Sequence, residues 1–141
     1  MSTLESLIRL HRFQLDERRR QLADLDQLAA KLRQELERLE IEQKVEQTIA
    51  AQSFEAAQGY GAYARNLIER RQRLTHSLAE VEQQILQARE ELAEAFQEVK
   101  RYEITADNRA RQQRQKLARR QQALMDELGL DRHARRKASE G

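Results

Sequence analysis

Apolar residues recur along this chain at alternating spacings of three and four, most regularly between Tyr60 and Ala106. With Tyr60 at position a of a heptad, the a series is Tyr60, Leu67, Leu74, Val81, Ala88, Ala95 and Tyr102. The d series is Ala64, Arg71, Leu78, Ile85, Leu92, Val99 and Ala106, so Arg71 alone is neither apolar nor tyrosine. A repeat of 3.5 residues sustained over so many heptads keeps one narrow stripe turned toward a partner helix, as a coiled coil requires. A second series precedes it: Leu4, Ile8, Leu15, Leu22, Leu25, Ala29, Leu32, Leu36 and Leu39. It is interrupted by His11 and Arg18 and weakens at Gln43 and Glu46 before Ala50.

Ser2 and Glu5 have the spacing of a capping box, which starts the first helix almost at the N-terminus. The pattern predicts helix 1 over about 3–52, a turn over about 53–61 and helix 2 over about 61–128. Ser53, Gly59 and Gly61 are the interior cluster of turn-formers, and Phe54-Glu55-Ala56-Ala57 has the composition for one helical turn within it. Gly129 is placed to end helix 2 in a left-handed conformation, and residues 130–141 read as a basic, flexible tail. Helices joined by so short a connection run antiparallel. The expected fold is all-α: one antiparallel two-helix coiled-coil hairpin over residues 1–129, with helix 2 the longer. A turn centred near Ala56 sets residue n beside residue 112 − n, so Leu4 faces Asn108 and the chain from Arg109 onward has no partner in helix 1. The apolar phase slips at the same place, with Ala106 followed by Ala110, Leu117, Leu124 and Leu128. A stripe without an internal partner is a docking surface or a self-association seam.

Composition supports long helices over a layered core. Charged residues make up 35% and aromatics 4%, with no proline, cysteine or tryptophan. There is no disulfide frame and no thiolate metal site, no apolar run long enough to cross a bilayer, and no signal-peptide pattern at the start. The reading is of a soluble or peripheral protein. His11, His76 and His133 are dispersed without metal-ligand spacing, and Gly59 and Gly61 lack the residues of a phosphate loop. A two-helix rod also lacks a pocket that excludes water. Neither an enzyme nor a cofactor or small-molecule ligand is expected. His11 falls at a d position, where it is read as hydrogen-bonded across the helix pair.

The net charge of +2 hides an asymmetry. Arg109, Arg111, Arg114, Lys116, Arg119 and Arg120 fall within twelve residues that hold no acid, whereas Glu80, Glu82, Glu90, Glu91, Glu94 and Glu98 are offset by Arg89 alone. The basic residues go around the helix with no interleaved aromatic, which favours an acidic protein partner over nucleic acid. Phe13 and Phe96 fall at outer positions, and with Tyr102 they form either a cover over the seam's edge or a patch for a partner. Phe54 and Tyr63 form a second such candidate near the turn.

Leu4-Glu5-Ser6-Leu7-Ile8-Arg9-Leu10-His11-Arg12-Phe13-Gln14-Leu15 and its basic continuation, the run Tyr60-Gly61-Ala62-Tyr63, and Glu94 to Glu103 with its Phe96 and Tyr102 resemble the FliJ family. These are small coiled-coil components of the bacterial flagellar export apparatus. The likeness spans nearly the whole chain. It implies a non-enzymatic rod, similar to the central stalk of rotary ATP synthases, that enters the hexameric ring of the flagellar export ATPase and couples it to the membrane export gate. It also implies handling of export chaperones and a cytoplasmic location, peripheral at the inner face of the cell membrane. On that resemblance the ATPase-facing residues are Leu7, Leu10, Phe13, Leu15, Leu117, Leu124 and Leu128, with Arg114, Arg119 and Arg120 around them. The gate-facing residues are Phe54, Tyr60 and Tyr63. Two rival readings are a homodimeric coiled-coil scaffold or chaperone-like spacer, and a nucleic-acid-binding helix using Arg109 to Arg120.

Overall fold

A computed structural model of the chain describes residues 2–140. It consists of α1 (Thr3–Ala50), the short α2 (Phe54–Gln58) and α3 (Tyr60–Glu140), with no strand among the described residues. The two long helices, of 48 and 81 residues, pack against each other as a hairpin in which the second is the longer. By its internal contacts the chain divides into two compact units: Met1–His11 with Glu98–Gly141, and Arg12–Gln97.

α1 begins as its capping box directs. The Glu5 amide donates to Ser2 Oγ at 3.1 Å, and the Ser2 amide donates back to Glu5 Oε2 at 3.4 Å. α1 stops at Ala50, two residues before the expected end, and the reversal is a second cap. Ser53 adopts extended geometry (φ −150°, ψ 155°), and its side chain accepts the Ala56 amide at 3.1 Å. Gly59 then joins α2 to α3 with φ −84°, so the left-handed freedom of glycine is not used there.

The larger unit has a core of small and branched side chains. Ala29 is completely buried and packs with Val81 and Ile85, flanked by Leu22, Leu25, Leu32 and Leu78. Leu15, Leu39, Leu67 and Ala88 are the other buried residues of this unit. The polar interruption at Arg18 is bridged: its guanidinium donates to Glu91 at 2.6 Å, and Arg33 reaches Glu82 at 3.3 Å. Both pairs span α1 and α3 within about one helical turn of the register read from the sequence. Such half-exposed pairs contribute about 0.2–1 kcal/mol each, against about 1.5–3 kcal/mol for each large apolar side chain buried. The apolar seam therefore supplies the stability, and the ion pairs help to fix the register.

In the smaller unit Ile8 and Val99 are buried, and His11 stacks on Tyr102 with ring centroids 4.7 Å apart and planes at 23°. His11 is thus accommodated by ring stacking, where a hydrogen bond was expected. A side chain that is flat and half apolar fills a seam position without leaving a void. Beyond Ala106 every described residue of α3 is exposed. This includes Gly129, at which the helix was expected to end and which it instead crosses, running on to Glu140. An interior glycine costs only about 1 kcal/mol relative to alanine, and no proline follows to stop the helix. Residues 130–140 are accordingly helical, where an irregular tail was expected, and Gly141 lies outside the described residues.

Because Ala29 has no free surface, Ala29→Leu is expected to lower stability by about 1–3 kcal/mol through overpacking. Ala30→Leu, on the exposed face one residue on, changes it by less than about 0.5 kcal/mol. Thermal melts followed by circular dichroism compare the two.

Candidate functional site

Two apolar surfaces stand out among the described residues once the seam is formed, one in each unit. In the smaller unit it is the part of α3 that follows Ala106, about 50 Å of helix at 1.5 Å per residue. Leu117, Leu124 and Leu128 are each about half exposed and, with Ala106 and Ala110, follow one face. At 100° per residue Arg114 lies about 60° to one side of that face and Arg120 about 60° to the other, while Arg119 is on the back. Met125 borders the stripe and Leu130 lies opposite it, and both are exposed. Met125 was not singled out from the sequence because it sits off the heptad phase, yet it widens the apolar surface. Near the start of α1, Leu10 is exposed, whereas Leu7 is half-buried in a groove that it shares with Leu4, Tyr102 and Arg109.

In the larger unit the expected residues meet different fates. Phe13 is exposed, at 59%, whereas Leu15 is buried in the seam at 6%, so its side chain serves the hairpin. At the turn Phe54 is 80% exposed. An aromatic left in water by the residue that opens a cap has no packing role in this chain. Tyr60 and Tyr63 are half-buried and lie beside each other, ring centroids 6.4 Å apart. The Tyr63 hydroxyl donates to Glu42 Oε1 at 2.7 Å. Ile41, Val45 and Ile49, spaced by four on the outer face of α1, are also exposed. The sequence signal for these three was present, since i, i+4 and i+8 share a face. It is a second stripe about half a turn from the seam, and a search for one seam passes over it.

Among the described residues there is no cluster of three or more His, Cys, Asp or Glu side chains that would hold a metal. No buried polar side-chain atom among them lacks a hydrogen bond. No helix among them is long and apolar enough to cross a membrane. What the surfaces offer is contact area: leucines between arginines on α3, and aromatic and β-branched side chains around the turn.

The Glu42 contact has a measurable signature. The hydrogen bond to the carboxylate, with its negative charge close by, favours the neutral phenol and pushes the Tyr63 pKa from 10.0 up to about 12. A raised pKa means that the contact's stabilisation is complete below the ordinary phenol range. It is lost as pH rises from about 10 through about 12. Spectrophotometric titration of a chain in which Tyr60→Phe and Tyr102→Phe leave Tyr63 as the one tyrosine should therefore show it ionising near pH 12, and Glu42→Gln should return it toward the ordinary range. A Tyr63 that ionises near 10.0 would refute the contact.

Compared with known families, the chain matches the one described as the flagellar FliJ protein over residues 1–138. No curated protein and no solved structure matches it.

Proposed function

The chain belongs to the FliJ family of flagellar proteins, and on that premise we propose that it is a stalk-like adaptor joining the export ATPase to the membrane export gate. Membership makes it a component of the flagellar export apparatus. The finer assignments are our reading of its surfaces. The observation that carries it is the unpaired stripe of Leu117, Leu124 and Leu128 on α3, with Arg114 and Arg120 to either side. A ring that closes around a helix needs a surface without side branches or bound loops, and this segment is bare helix throughout. Leu7, Leu10, Phe13 and Arg119 are further contacts of the ATPase in this reading, and Leu15, buried in the seam of its own unit, serves to hold α1 in the hairpin.

The second contact, with the export gate, is assigned to side chains around the turn: the exposed Phe54, the half-buried Tyr60 and Tyr63, and the exposed stripe of Ile41, Val45 and Ile49. Export chaperones are the third class of partner. The protein performs no chemistry in this role and works at the inner face of the membrane through its partners.

Placing the two contacts on different residues makes them separable. Leu117→Asp with Leu124→Asp should abolish stimulation of the export ATPase, leave helicity by circular dichroism unchanged and retain capture by the gate protein. Phe54→Ala should do the reverse, weakening capture about tenfold, the scale of one aromatic anchor. If the double variant stimulates the ATPase as the unaltered chain does, the assignment of the α3 stripe is wrong.

A further inference from the structure

The exposed segment of α3 carries a charge order that the proposed adaptor role does not use. From Arg109 to Arg120 there are six basic residues and no acid, while from Gln121 to Asp131 there are three acids, Asp126, Glu127 and Asp131, and no base. Four of these charges follow one flank of the leucine stripe. At 100° per residue Lys116, Arg120, Glu127 and Asp131 lie about 40–100° to the same side of its centre. Read along the helix, this flank is basic and then acidic. All four residues are exposed, as are the leucines beside them.

We propose that this segment pairs with its own copy in a second chain, antiparallel, around a two-fold axis that passes beside Leu124. A two-fold axis perpendicular to the helices sets like flanks against each other in opposite directions, so each contact occurs twice. Lys116 of one chain then meets Asp131 of the partner, and Arg120 meets Glu127, in one register. That register brings Leu117 close to Leu128 of the partner and Leu124 close to Leu124 of the partner. A parallel pair would instead set each flank against the partner's opposite flank at the same level, where Lys116 and Arg120 meet only the acid-free stretch from Arg109 to Met125. The other flank holds Arg114 and Arg132 and, farther out, Arg111 and Arg136, which approach each other in the same antiparallel register and offset much of the attraction. The association is therefore weak and sensitive to salt.

Pairing buries the same leucines that the adaptor reading gives to the ATPase, so if that reading holds, the paired form withholds the stripe until a ring competes for it. The pairing itself does not depend on the reading, because it is tested on the isolated full-length chain.

The test is sedimentation equilibrium at low salt, at concentrations up to roughly 0.3 mM, near the weak end of measurable association. The unaltered chain should dimerise, and Lys116→Glu with Arg120→Glu should weaken this at least about tenfold, as should Glu127→Lys with Asp131→Lys. An equimolar mixture of the two variants should restore the dimer, because every opposed pair on that flank is again of opposite sign. The exchanged side chains are all exposed, so helicity by circular dichroism should be unchanged. An unaltered chain that stays monomeric, single variants that dimerise like it, or a mixture that stays monomeric would each overturn the proposal. Loss of ATPase stimulation in a variant that still dimerises would bear on the adaptor reading alone.

Discussion

The structure depends on one constraint: two apolar stripes of matching period must stay in register. α1 supplies its stripe from Leu4 to Ala50 and α3 supplies its own from Tyr60 to Ala106. Along that stretch the seam positions are buried or half-buried in both helices, with Arg71 the exposed exception. Polar seam residues are tolerated because each sits among apolar neighbours that carry the energy. His11 is covered by Tyr102 and Arg18 is neutralised by Glu91. The larger unit is closed at its turn by the Ser53 cap and by Tyr63 reaching Glu42. The first is local and the second joins α3 to α1 beside the turn, and together they fix where the chain reverses without lengthening the seam.

This seam was legible in the sequence because period is a property of spacing alone. His11, Arg18, Gln43 and Glu46 fall in phase with the leucines around them, and the structure gives each the reduced exposure that its phase demands. The partner of each was not legible. That Arg18 pairs with Glu91 in preference to another of the nearby glutamates is settled by side-chain geometry across the two helices, which no spacing within one helix contains. The end of α3 was misread for a different reason. Gly129 is a helix stop only when the following residues gain by leaving the helix. Here the flanking Glu127, Leu128, Arg132 and Ala134 favour helix by enough to offset one glycine.

The candidate surfaces were legible in unequal measure. Leu117, Leu124 and Leu128 stood out because their phase departs from the seam, and all three are exposed. Leu15 could not be separated from Phe13 by proximity, and the structure divides them, one into the core and one into water. Phase does separate them, since Leu15 lies at a seam position and Phe13 does not. Ile41, Val45 and Ile49 were hidden by the opposite effect, a regular stripe lying outside the seam. Membership of the FliJ family assigns the chain to the flagellar export apparatus. It leaves to physical reasoning the question of which side chains meet which partner.

The composition of the two apolar stripes on α3 bears on that question. Within the hairpin the stripe is nearly continuous, so it pairs permanently with α1. Beyond Ala106 the same face reads Ala110, Gln113, Leu117, Gln121, Leu124 and Leu128, with a glutamine at two of its layers. A glutamine in such a layer must keep its amide hydrogen-bonded when a partner covers it, which lowers the gain from burial. Three leucines retain enough apolar surface for recognition, and the flanking charges add direction and speed more than affinity. Such a surface suits partners that bind and leave. A permanent neighbour would have called for the uninterrupted pattern that this helix already uses against α1.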